Sequence, residues 1–169
     1  MKKLLALLCA LTLLSALSGC GKPAADVTEL PISSISVVEV ADPEQAIREI
    51  YAEITMAGIS DADDRVLQDK FLIDPDMLED YVVKYSSGRF GVADVFILKP
   101  VEDEVLTVRE ALEKVKLSRV KEFENYDIYN SYQIAQDAQI FEQGDYVIML
   151  MLEDTEKARG IIDKYIPKS

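Results

Sequence analysis

The chain has 169 residues, is 49% hydrophobic and 29% charged, and carries a formal net charge of -13 at pH 7. That sign argues against nucleic acid as a partner and against a polybasic grip on anionic lipid, since both need cations that meet phosphates. No histidine occurs, which removes His-containing zinc sites and every Ser-His-Asp or Cys-His pair, and with them much of hydrolase chemistry.

The N-terminus carries the clearest message. Met1-Lys2-Lys3 is basic, residues 4–14 are apolar, and Leu17-Ser18-Gly19-Cys20 follows. A short positive start, a short apolar helix and small residues at a cut site predict an export signal. Residues 4–16 make only about 13 positions, whereas a membrane span takes roughly 20. Leu17-Ser18-Gly19-Cys20 resembles the lipobox of bacterial lipoproteins. The resemblance implies a diacylglyceryl group on the Cys20 thiol, cleavage between Gly19 and Cys20, and acylation of the new amino terminus. Two acyl chains hold a protein firmly where one is marginal. Removing Lys2 and Lys3 with the signal takes the net charge two further, to -15. Cys9 leaves with the signal and Cys20 is consumed by lipid, so the mature part keeps no thiol and no disulfide.

Residues 21–34 contain two prolines and no apolar periodicity, as suits a tether. Residues 35–40 form a short apolar piece, a strand or an extended lead-in. The division expected is a signal over 1–19, a lipidated tether over 20–41 and one domain over 42–169.

Asp42-Pro43-Glu44-Gln45 is a helix start, with Asp42 as N-cap and Pro43 at the first helical position. Ala46, Ile47, Ile50, Tyr51 and Ile54 recur at helical spacing, and Gly58 offers a stop. The acidic stretch 60–80 predicts two short helices. Asp61, Asp63, Asp64 and Asp69 lack the glycine turn and bidentate glutamate of a calcium loop and are expected as caps or a solvated face. Ser86-Ser87-Gly88 is a turn, because the glycine spacing of a phosphate loop is missing.

Residues 90–98 are a dense apolar run that predicts a buried strand. A long helix is expected over 102–123, striped by Val105, Val108, Leu112, Val115 and Val120. Its order of charges, acids first and bases later, suits the helix dipole. Residues 126–132 make a polar, aromatic connection. Tyr126, Tyr129 and Tyr132 are the candidate ligand contacts, since tyrosine beside amides and carboxylates stacks on sugars or peptides. The plainer role, rings closing the edge of the core, is preferred. Residues 133–142 are strand-like, Gln143-Gly144 fits a two-residue hairpin loop, and residues 145–152 hold the most continuous apolar run. Asp154 or Thr155 then caps a last helix with Ala158, Ile161, Ile162 and Tyr165 facing inward.

The expected fold is α+β: a three-stranded antiparallel sheet of order one, three, two, a truncated ferredoxin-like β-α-β-β-α pattern with helices on one face, preceded by short helices. The lipobox, the acidic first part, the strand Ala93-Asp94-Val95-Phe96-Ile97-Leu98-Lys99 and the strand Gly144-Asp145-Tyr146-Val147-Ile148-Met149 together resemble a family of Gram-positive lipoproteins classed as a domain of unknown function, over about residues 43–166. That resemblance implies a location and no chemistry. The expectation is a non-catalytic lipoprotein without cofactor or metal, moored through Cys20 at the outer face of the cytoplasmic membrane, where it meets an envelope protein or glycan. The alternative is a small-ligand binding lipoprotein serving a transporter, and a deep cleft near Tyr126 to Tyr132 would favour it.

Overall fold

The computed structural model describes residues 40–168. Gly19 and Cys20, the rest of the export signal and nearly all of the tether lie outside the described residues.

Five strands make one antiparallel sheet in the order β1-β2-β3-β5-β4. They are β1 (Ile59–Asp61), β2 (Leu78–Ser86), β3 (Asp94–Pro100), β4 (Gln139–Gln143) and β5 (Tyr146–Met151). Helices α1 (Pro43–Tyr51), α2 (Asp64–Val66), α3 (Val105–Glu124), α4 (Ser131–Gln136) and α5 (Thr155–Tyr165) fill the connections. The α+β class holds, and the β3-β5-β4 part of the sheet has the expected order. The sheet nevertheless has five strands rather than three, because β1 opens the acidic stretch and β2 grows out of its end, where only helices were expected.

β2 contains Tyr81-Val82-Val83-Lys84-Tyr85, β-branched and aromatic residues that suit a pleated surface. It pairs with β3 through Val82 opposite Ile97 and Val83 opposite Phe96. Ahead of it, α2 runs into a wider π turn over Leu67–Phe71 and stops at Leu72, which has φ 57°. Residues 133–136 are the second departure. They belong to α4, and the strand starts only at Gln139.

Helices cover both faces of the sheet, not one. Val83, Phe96, Leu98, Met149 and Met151 pack with Leu67, Phe71, Leu112, Val115 and Phe123. Val82, Val95, Ile97, Ile148 and Leu150 pack on the other side, with Ala46, Ile47 and Ile50 of α1 and Ala158 and Ile162 of α5. Alternate residues of a strand face opposite sides, so an unbroken apolar run requires cover on both. Each fully buried aliphatic or aromatic side chain contributes about 1.5–3 kcal/mol. Phe71 meets Phe96 edge-on, with ring centroids 4.9 Å apart.

The caps of α1 and α5 follow the sequence. The Asp42 carboxylate accepts from the Gln45 N–H at 2.9 Å, and that of Asp154 from the Lys157 N–H at 3.0 Å. α1 ends at Tyr51, short of Gly58. The β4-β5 loop is Gly144-Asp145, one residue later than expected. Gly144 has φ +55°, and a Cβ there would lie 2.9 Å from the Pro167 carbonyl oxygen. Both facts require glycine.

Candidate functional site

A cleft of about 700 Å³ opens where the end of α1, the lead-in to β3, the segment before α4 and the start of α5 meet. Ile50, Ile54, Met56, Val92 and Ile161 give it apolar walls, and Tyr129 stands at its edge. A volume in the range of about 300–1,000 Å³ with mostly apolar walls suits a small organic ligand.

Tyr129 is 81% exposed. Tyr129 and Asn130 both adopt left-handed backbone, φ 52° and 61°, which costs side-chain-bearing residues of order 1–3 kcal/mol each. Neighbouring hydrogen bonds hold the bend. The Tyr132 N–H donates to the Asp127 carboxylate at 2.9 Å, and the buried Ser131 donates its N–H to the Ile128 carbonyl at 3.0 Å. Gly91, φ +108°, lies alongside; a Cβ there would sit 3.3 Å from Met56 and 3.8 Å from the Tyr129 ring.

The charged rim comes from Glu49, Glu53, Glu153, Asp154 and Lys157. Lys157 pairs with Glu53. The Glu49 carboxylate accepts from Lys164 at 2.7 Å and from the Tyr165 hydroxyl. These donors, Lys164 first, hold Glu49 below the usual carboxylate range.

Of the three tyrosines singled out by sequence, the structure places only Tyr129 at the cleft. Tyr126 is exposed elsewhere on the connection, and Tyr132 packs against the core as the plainer role required. The four aspartates of the acidic stretch are dispersed among separate partners. Asp61 pairs with Lys84, Asp69 with Arg65, Asp63 caps α2, and Asp64 accepts from the Tyr81 hydroxyl.

Sequence reasoning missed a buried ion pair joining β2, β3 and α3. Asp94, fully buried at the start of β3, accepts from Arg119 Nε at 2.8 Å and from the Ser86 N–H and hydroxyl at 2.7 and 2.9 Å. Arg119 also donates to the Ser86 carbonyl at 2.6 Å and to Glu122 at 2.7 Å. Burial is the largest influence on Asp94 and holds it above the usual carboxylate range, against Arg119 and Ser86. For Arg119 burial pulls downward, but Asp94 and Glu122 outweigh it and keep the guanidinium charged. Both charged groups are thus engaged internally, which suits a brace better than a reactive group.

A family model described as a domain of unknown function, DUF4358, matches residues 52–152. The chain belongs to the DUF4358 family. The DUF4358 segment includes all five strands and α2 to α4, while α1 and α5 lie outside it, and with them Glu49, Ile50, Lys157, Ala158 and Ile161 of the cleft lining. No curated protein and no solved structure matches the chain.

Proposed function

We propose that this protein is an exported lipoprotein, anchored through Cys20 at the outer face of the cytoplasmic membrane, whose folded part binds a small ligand without transforming it. The cleft beside Tyr129 carries this reading. It favours the ligand-binding lipoprotein serving a transporter over a module that docks only an envelope protein or glycan. The lack of histidine in the sequence supports a non-catalytic role.

Thr55 is exposed and lines the cleft, so Thr55→Trp fills the mouth without entering the core. A fragment set screened by ligand-observed NMR on the full-length protein in detergent is expected to give binders that Thr55→Trp abolishes while its melting temperature stays unchanged. Binders indifferent to Thr55→Trp, or none at all, would remove the cleft from the function.

A further inference from the structure

We infer that the cleft takes a small organic cation, an ammonium carried on an apolar body, and this rests on the ligand-binding reading above. The walls supply the place for the body. Ile50, Ile54, Met56, Val92 and Ile161 face a volume of about 700 Å³, and such walls reward burial of apolar surface whatever the ligand's charge.

The rim decides the charge. Four carboxylates, Glu49, Glu53, Glu153 and Asp154, line the cleft with a single cation, Lys157. Three of the four are already engaged: Glu49 by Lys164, Glu53 by Lys157, and Asp154 by the Lys157 backbone N–H. The Glu153 carboxylate has no ion pair or hydrogen bond among the described residues, and it is exposed at the rim. Tyr129 adds an accessible aromatic ring, which attracts a cation to its face. An anion would meet the same groups with the wrong sign, and the net charge of -13 steers cations toward the protein from a distance.

The test uses three probes with one body: 4-phenylbutylammonium, 4-phenylbutanol and 4-phenylbutyrate, titrated by calorimetry into the full-length protein in detergent at low salt. The ammonium is expected to bind at least tenfold more tightly than the alcohol and the carboxylate. Glu153→Gln and Tyr129→Ala should each weaken the ammonium severalfold and leave the alcohol unchanged, whereas Glu113→Gln, on the exposed side of α3, should change neither. Equal affinity for alcohol and ammonium overturns the cation while the ligand-binding reading stands. An ammonium preference that survives Glu153→Gln and Tyr129→Ala overturns the assigned site. If none of the three binds, the cation inference falls, and the fragment screen with Thr55→Trp decides separately whether the cleft binds anything.

Discussion

Asp94 and Arg119 illustrate how a charged pair joins elements that apolar contacts alone would leave free to slide. One carboxylate ties the end of β2, through Ser86, to the start of β3, and the guanidinium adds α3. Asp94→Ala is expected to cost about 3–5 kcal/mol in urea unfolding, because it strands a buried guanidinium. Asp94→Leu combined with Arg119→Met should recover part of that loss, though the Ser86 N–H would still lack its acceptor. Nothing in the sequence marks Arg119 for burial: among Lys114, Lys116 and Lys121 it reads as one more solvated base. Glu49 gives a prediction in pH. Its folded pKa lies below the ordinary 4.5, so its stabilising contribution is present above the unfolded value and is lost as pH falls through the lowered one. Glu49→Gln should therefore flatten the decline of melting temperature as the pH falls below the ordinary carboxylate value.

At the scale of elements, local chemistry made α1 and α5 legible, since Asp42-Pro43 and Asp154 act over three residues and need no tertiary partner. β3 and β5 were legible for a different reason: their apolar runs are unbroken. The same runs carried a further message, since Val95 and Phe96 cannot face one layer of helices together. β2 is harder because carboxylates stand at its start and only its middle, Tyr81 to Tyr85, has strand character. The tyrosine segment gave one cleft residue of three, because its left-handed bend at Tyr129 and Asn130 breaks the helical spacing that would have set all three rings on one side. Ile148, fully buried between Ile97 and Phe141 in neighbouring strands, provides a test of the central layer. Ile148→Asp should abolish cooperative unfolding, since an unpaired charge there costs several kcal/mol; a native-like melting curve would contradict its burial.

For the whole molecule, the proposed anchor and the folded part are tested separately. Among the described residues no helix is long and apolar enough to cross a membrane, and the proposal gives retention at the bilayer to lipid on Cys20. Cys20→Ala is expected to leave full-length precursor, without incorporation of labelled fatty acid, when cells are fractionated and blotted; normal processing would contradict the anchor. Within the folded part, the sheet and one helical layer fall inside the DUF4358 match, whereas α1 and α5, which make the other layer, flank it on either side. The Asp42 N–H donates to the Tyr165 carbonyl at 2.9 Å, and Lys164 reaches Glu49, so these two flanking helices clasp each other as well as the strands. The strands and the helical layer that closes this face of the sheet are therefore encoded on different stretches of chain. Trimming the chain to the matched stretch would strip the cover from Val82, Val95, Ile97, Ile148 and Leu150 and leave one face of the sheet bare.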